Sequence, residues 1–314
     1  MAKTAVIALG GNALLRSGQK GTVEEQVVNT MATLENIVFL IKEGFNIVLS
    51  HGNGPQVGNL LMQQTAGNDE FELPAMPLDV CVAQTQGSIG YMIEQCLRNV
   101  LAKHHIQKDI TTLISPVQVD PNDPAFQNPT KRVGRTYSKE EADALAKENG
   151  WQFKEETKKG KTGWRRVVPS PRPIDVLNAP MVKRLSDAGV IVVAVGGGGV
   201  PVSIGEKGEM TPIEAVIDKD SASSVLASRI GAERFYILTD VPYVYINYGQ
   251  PNEEKLDRVP REDVKRYLAE GMFGEGNMAP KIRASLDFLD RGGEVAVITE
   301  ATKLEDTVYG TRIM

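Results

Sequence analysis

Thr4-Ala-Val-Ile-Ala-Leu9 runs directly into Gly10-Gly11-Asn12-Ala13-Leu14. Six small and β-branched residues predict a buried strand. The two glycines after it let the backbone turn tightly and bare its N–H groups. A helix follows a polar loop: Val27, Met31, Leu34, Val38 and Ile41 recur in steps of four and three between Glu24 and Gly44, which is one helix face. Strand, glycine turn and helix together form a phosphate-binding device, because bare amides converge there on an anion. An ordinary βα turn has the same pattern, so the rest of the chain decides.

The pattern returns twice. Phe45–Ser50 predicts a second core strand, and it empties into His51-Gly52-Asn53-Gly54-Pro55-Gln56 before a helix to about Thr65. Val190–Val195 is the most strand-like run in the chain and ends in Gly196-Gly197-Gly198-Gly199. Four glycines give up backbone entropy and side-chain packing, so a close backbone approach is expected there. Equivalent strand ends in a parallel sheet face the same side, which would bring these loops to one edge. Between them lie a long helix from Asp79 to about Lys103 and a strand from Thr111 to Val119.

From Asp120 to Arg172 aliphatic residues become scarce. A short helix around Lys139–Glu148 and small strands around Trp151, Phe153, Trp164, Val167 and Val168 read as an excursion from the main sheet. Its basic residues Lys158, Lys159, Lys161, Arg165 and Arg166 read as a solvated surface. After it come Asp218-Lys219-Asp220, a small-residue helix over Ser221–Ile230, a strand over Phe235–Asp240, helices over Arg261–Glu270 and Met278–Arg291, and a strand over Val295–Thr299. Alternating strands and helices predict an α/β fold with a mostly parallel sheet covered on both faces.

The totals set limits. A chain of 314 residues, 41% hydrophobic and 24% charged, holds one large α/β domain or two smaller ones. A net charge of −5 carries no electrostatic footprint for nucleic acid. No apolar run reaches membrane-spanning length, and Met1-Ala-Lys leads into a core strand without a signal-peptide pattern. Cys81 and Cys96 fall on one predicted helix, roughly 22 Å apart at 1.5 Å per residue, too far to bridge. Reduced thiols in a cytoplasmic protein are expected.

Several familiar signals fail. Gly160-Lys161-Thr162 resembles the end of a Walker A loop, but Glu155 stands where its first glycine belongs. Pro201 and Val202 occupy the third-glycine positions after the Gly196 run, and Gly58 comes one residue late after Gly52-Asn53-Gly54, which speaks against a dinucleotide dehydrogenase. His51, His104 and His105 offer no metal spacing, and His51 reads as structural.

Taken in order, Ile7-Ala-Leu-Gly-Gly-Asn-Ala13, Ser50-His-Gly-Asn-Gly-Pro-Gln-Val-Gly58, Asp123-Pro-Ala-Phe-Gln-Asn-Pro-Thr-Lys131, Gly163-Trp-Arg-Arg-Val-Val-Pro-Ser-Pro171, Gly196-Gly-Gly-Gly-Val-Pro201 and Val216-Ile-Asp-Lys-Asp220 resemble the carbamate kinase branch of the amino acid kinase family. The resemblance spans the whole chain. It implies a three-layer αβα sandwich formed as a single domain over 1–314. An acceptor lobe would cover about 1–215, carrying a protruding subdomain at about 120–172, and a nucleotide lobe about 216–314. It also implies a homodimer, Mg2+ held mainly by the nucleotide phosphates, and reversible conversion of ATP and carbamate to ADP and carbamoyl phosphate, used to make ATP in arginine catabolism.

By the same resemblance, Lys219 would lie near the transferring phosphoryl group, Lys281 would reach the nucleotide phosphates, and Lys131 would swing in from the protruding subdomain. Asp220 would orient lysines. Gly10, Gly11 and Asn12 would donate to the transferred group. Gly52, Asn53 and Gly54, with Gly197 and Gly198, would cradle carbamate, and Thr239, Asp240, Tyr245, Met278 and Ala279 would line the nucleotide pocket. One departure stands out. Lys131-Arg132-Val-Gly134-Arg135 lacks the prolines usual after the lysine and after the glycine, which would loosen the loop carrying Lys131. Two other readings stay open: an acetylglutamate-type kinase acting on a larger carboxylate, and a non-catalytic nucleotide- or oxyanion-binding protein on the same scaffold.

Overall fold

The computed structural model describes residues 2–314 except 17, 159, 160 and 307, and their side chains except those of 12, 158 and 161. The Walker-like Gly160-Lys161-Thr162 stretch and the basic side chains of Lys158, Lys159 and Lys161 thus fall outside the described residues, wholly or in part.

The strand Thr4–Leu9 is buried along its whole length. It sits inside an eight-stranded sheet ordered Arg258–Val259, Thr311–Ile313, Val295–Glu300, Arg234–Thr239, Thr4–Leu9, Asn46–His51, Ile191–Val193 and Ile110–Thr112. Every neighbouring pair is parallel except Val295–Glu300 with Thr311–Ile313. Alternation along the first strand divides the core. Val6 and Ala8 join one apolar cluster, while Ala5, Ile7 and Leu9 join the other. Helices Val23–Glu35, Val38–Lys42 and Leu78–Lys103 cover one face, and Ala179–Asp187, Lys219–Ile230 and Met278–Asp290 cover the other. This is the expected αβα sandwich with a mostly parallel sheet. No helix among the described residues is long and apolar enough to cross a membrane.

Some elements depart from their predicted bounds. The helix expected over Glu24–Gly44 is two helices, Val23–Glu35 and Val38–Lys42. Asn36 and Ile37 donate to carbonyls three residues back, at 3.2 and 3.0 Å, and the Asn36 amide donates to Ala32 O at 2.7 Å, which tightens and ends the first helix. The strand expected over Thr111–Val119 is also two. Ile110–Thr112 closes the main sheet and Pro116–Val119 enters a four-stranded sheet. Pro116 has no N–H to extend the first ladder, and Ser115 N instead donates to Gln86 Oε1 at 2.8 Å. The helix expected to stop near Thr65 runs from Gly54 to Phe71.

The excursion hangs between two antiparallel neighbours of the four-stranded sheet, Pro116–Val119 and Pro173–Val176. Because its two ends are adjacent, it inserts without disturbing the main sheet. It contains the three-stranded antiparallel sheet Lys131–Tyr137, Lys161–Val168 and Gln152–Lys158, with helix Lys139–Asn149. Trp151 precedes its strand and stacks against the Arg166 guanidinium at 3.8 Å. Lys131 therefore opens a strand and is not held in a loop. Arg132 and Arg135 have the N–H groups that prolines would lack, and the register shifts between Val133 and Thr136. Val133 and Val168 pack with Val57, Cys81 and Val82, which seats this unit on the helices Gly54–Phe71 and Leu78–Lys103.

The strand expected over Val190–Val195 is regular only over Ile191–Val193. Val195 then adopts φ +47°, a left-handed conformation costly for a β-branched residue. The glycines after it meet the end of the second strand: a Cβ on Gly196 would lie 2.3 Å from His51 Nε2. His51 is buried, its Nδ1–H donates to Gly52 O at 2.9 Å, and its Nε2 has no hydrogen-bond partner. Burial pushes the ring down from 6.5 to about 4, more than the Gly52 carbonyl can restore. The unfolded ring takes a proton below about 6.5 and the folded ring resists until about 4. The stability of the neutral ring is therefore complete above 6.5 and is lost as pH falls toward 4. Urea unfolding across this window is expected to lose about 3 kcal/mol more in the wild type than in His51→Gln. Parallel pH profiles for the two proteins would show that His51 does not carry the effect.

Candidate active site

The sheet's strand order reverses around Thr4–Leu9. The chain steps to Asn46–His51 on one side, and later to Arg234–Thr239 on the other. Loops after the carboxyl ends of neighbouring strands part at such a switch point and leave a crevice. Three adjoining cavities occupy it.

The first, about 320 Å3, is lined by Gly11, Gly52, Asn53, Gly54, Lys131, Gly197, Asp218, Lys219, Asp220 and Lys281. The second, about 600 Å3, is lined by Gly10, Gly11, Thr239, Asp240, Lys219 and Lys281 among others. The third, about 580 Å3, is lined by Asp240, Tyr243, Tyr245, Phe273 and Met278. Gly11, Lys219 and Lys281 border both the first and the second cavity, and Asn277 borders all three.

At the junction lies a buried ion cluster. Asp220 takes Lys219 on Oδ1 and Lys281 on Oδ2, the latter at 2.9 Å. Burial pushes the Asp220 carboxyl up, but Lys219 and Lys281 outweigh it and hold it down at about 2. Burial also pushes Lys219 down, with Asp220 pulling it back.

The local sequence explains the cluster. Asp218 caps the Lys219–Ile230 helix, accepting from Asp220 N at 3.0 Å and Ser221 N at 3.1 Å. Lys219 and Asp220 thus belong to its first turn, so the helix starts two residues earlier than the sequence pattern suggests. That helix N-terminus adds positive potential toward the first cavity. Ala222, Ser223, Ser224 and Ala227 are all buried, so the helix packs closely against the sheet and against Met278–Asp290. Ser223 Oγ lies 2.6 Å from Ser50 Oγ and donates to Lys219 O at 2.6 Å, tying the cluster to the second strand.

The glycine loops surround this cluster. The Lys219 stem passes over Gly52, where a Cβ would sit 3.6 Å from its Cδ. Gly197, at φ +64°, leaves no room for a side chain, since a Cβ would fall 2.2 Å from the Asn53 amide. The Asn53 amide donates to Thr85 Oγ1 at 2.9 Å. Lys131 reaches the first cavity from the inserted sheet, with its Nζ 3.6 Å from Asp218 Oδ2.

Three expected residues stand differently. Gly10 borders the second cavity and not the first. Gly198 packs under Ile217, where a Cβ would lie 2.3 Å from the Ile217 carbonyl oxygen, and it borders none of the three cavities. Ala279 is fully buried in the apolar core below the third cavity's Met278, because the next position on a helix turns away from the exposed face. The Asn12 side chain lies outside the described residues. Asn277 and Asp218 had no assigned role in the sequence reading. Both stand immediately before a helix, as cap-type residues do.

This arrangement can bind two anionic groups end to end and neutralise charge between them. Comparisons agree with that chemistry. Residues 3–300 match the model of the amino acid kinase family. The chain is 49% identical to a carbamate kinase of Thermococcus kodakarensis, covering 98% of this chain and 97% of that protein. It is 48% identical to a carbamate kinase of Pyrococcus furiosus, covering 99% and 98%. The structure of a carbamate kinase from Giardia lamblia bound to AMP-PNP superposes with a TM-score of 0.92, at 39% identity over 100% of this chain and 98% of that one. By its sequence, its fold and the crevice they build together, the chain belongs to the amino acid kinase family, on the carbamate kinase branch.

Proposed function

We propose that this protein is an enzyme that transfers a phosphoryl group reversibly between ATP and carbamate, forming ADP and carbamoyl phosphate. The observation that carries the reading is the convergence of the glycine loops and the Lys219–Asp220–Lys281 cluster where an acceptor-sized cavity meets a nucleotide-sized one.

Carbamate occupies the first cavity, against Gly52, Asn53, Gly54 and Gly197. The nucleotide lies along the second and third, with its phosphates near Gly10, Gly11, Asn12, Thr239 and Lys281 and its base beside Asp240, Tyr245 and Met278. AMP-PNP, bound by the Giardia relative, is a nucleoside triphosphate analogue, which favours such a ligand here. A carbamate oxygen attacks the terminal phosphorus as the bond to the ADP oxygen breaks. Carbamate is already an oxyanion, so no general base is needed, and the buried neutral ring of His51 is not asked to supply one. The requirement is positive charge. A lysine about 4 Å from a phosphate oxygen contributes roughly 4 kcal/mol at an effective dielectric near 20. Lys219 and Lys281 meet that requirement, with Asp220 fixing their position.

Among the described residues no group of three or more His, Cys, Asp or Glu side chains converges on a cation site, and both oxygens of Asp220 are taken by lysines. This donor set fits a Mg2+ that arrives on the nucleotide phosphates, where it supplies further charge neutralisation. We assign residues 1–215 to the acceptor side, 120–172 to a mobile carrier of Lys131, and 216–314 to the nucleotide side. A homodimer, and ATP synthesis at the end of arginine catabolism, complete the proposal on resemblance. The free buried thiols of Cys81 and Cys96 fit a reducing cytoplasm.

Pure protein given ADP and carbamoyl phosphate is expected to make ATP and to leave acylamino acids unphosphorylated. The opposite preference would assign it to another branch of the family. Lys219→Ala is expected to lower kcat at least tenfold, a loss of ~1.4 kcal/mol or more. Undiminished turnover in a folded variant would remove Lys219 from the mechanism. For Lys131→Ala, KM for carbamoyl phosphate should rise more than KM for ADP, and equal rises would contradict an acceptor-side role.

A further inference from the structure

Along the sheet face that carries Tyr236 and Val297 lies an arginine-lined cleft that the phosphoryl-transfer reading does not use. The sheet register puts Arg258 beside Arg312, Arg312 beside Val297, and Val297 beside Tyr236. Lateral neighbours in a sheet point to the same face. Arg234, two residues before Tyr236, shares that face as well. Together these side chains border a cavity of about 280 Å3, which Phe39, Val295, Thr299 and Leu304 also line.

Like charges directly opposite on neighbouring strands destabilise a sheet, and guanidinium groups cannot shed their protons to escape. Other arginines here have carboxylate partners, such as Arg229 with Asp175 and Arg283 with Glu275. Among the described residues no carboxylate makes an ion pair with Arg234, Arg258 or Arg312. Arg234 donates to the Tyr236 hydroxyl at 3.3 Å and Arg312 to Tyr309 O at 3.0 Å, which leaves most of their N–H groups available. Burial pushes Arg312 below its usual range; Tyr236 pulls it back, and the push from Arg258 and Arg234 is set against the pull of Asp257.

We propose that this cleft binds a small, multiply charged oxyanion, a phosphate or a dicarboxylate, between the guanidinium forks of Arg234, Arg258 and Arg312. Arginine forks match both groups with paired hydrogen bonds. The apolar wall of Phe39, Val295 and Leu304 limits the ligand to one with a compact body. None of the residues that line it borders the three cavities around Lys219, so it does not rest on the assigned reaction.

Calorimetric titration of the intact protein with inorganic phosphate, and separately with succinate, tests the proposal against sodium chloride of matched ionic strength. The wild type is expected to bind one more equivalent of at least one of these anions than Arg258→Gln/Arg312→Gln, because the junction near Lys219 is the same in both. Uptake of phosphate alone identifies a phosphoryl ligand, and uptake of succinate alone a carboxylate. The single variant Arg258→Gln, at an exposed position, keeps the test open should the double variant fail to fold. It is expected to weaken the extra site at least tenfold. Thermal melting separates binding from a structural role. In chloride, Arg258→Gln relieves the repulsion and melts no lower than the wild type, whereas the bound anion raises the wild type more. Equal uptake of both anions by wild type and variants, or a lower melting point for Arg258→Gln with the same anion response, overturns the proposal.

Discussion

One buried carboxylate, Asp220, holds two ammonium groups at the meeting point of two cavities. Three charges taken out of water are costly, and they persist only when each is matched. Here the match is two against one, so the cluster keeps a net positive charge aimed at open space. Much of the surrounding structure serves that balance. The Asp218 cap fixes where one helix begins, the small side chains of that helix let it lie close to Met278–Asp290, and Ser223 ties it to the second strand. Removing Asp220 would leave two ammonium groups facing each other, whereas removing one lysine would leave a matched pair.

The cluster works only because the backbone around it is bare. The Lys219 stem lies over Gly52, and Gly197 lets the third glycine loop settle on Asn53. Side chains there would fill the space in which an anion meets the lysines. The left-handed Val195 belongs to the same compromise: its N–H donates to Ser115 Oγ at 3.0 Å while its backbone turns the glycine run inward. Strain is tolerated where the neighbouring packing over-determines the conformation.

Two places on the sheet handle positive charge in opposite ways. At the carboxyl ends, lysines share a carboxylate and border a deep crevice. In the cleft along the sheet face, Arg234, Arg258 and Arg312 stand together without a carboxylate in ion-pair contact among the described residues. The same parallel strands span both places, with Tyr309 at the arginine cleft donating to Glu300 at the second cavity at 2.6 Å.

The sequence by itself determined the alternation of strands and helices, the three glycine loops, the family resemblance and the small-residue helix after Asp218. These are local or periodic features, and local sterics or burial dictate them. It placed Phe235, Val295 and the Met278 helix close to where they stand. The division of Glu24–Gly44 and of Thr111–Val119 was not legible: the first turns on local bonds from Asn36 and Ile37 that the apolar period does not register, and the second on Gln86, 29 residues before Ser115. The short strands at Thr311–Ile313 and Arg258–Val259 carry too few residues to show a period. Only the tertiary structure decided that Gly198 and Ala279 turn away from the cavities, that Asn277 touches all three, and that Asp220 lies between two lysines, one of them 61 residues away along the chain. Such a meeting of charges is a property of packing, since no spacing along the chain encodes which ammonium group a buried carboxylate will find.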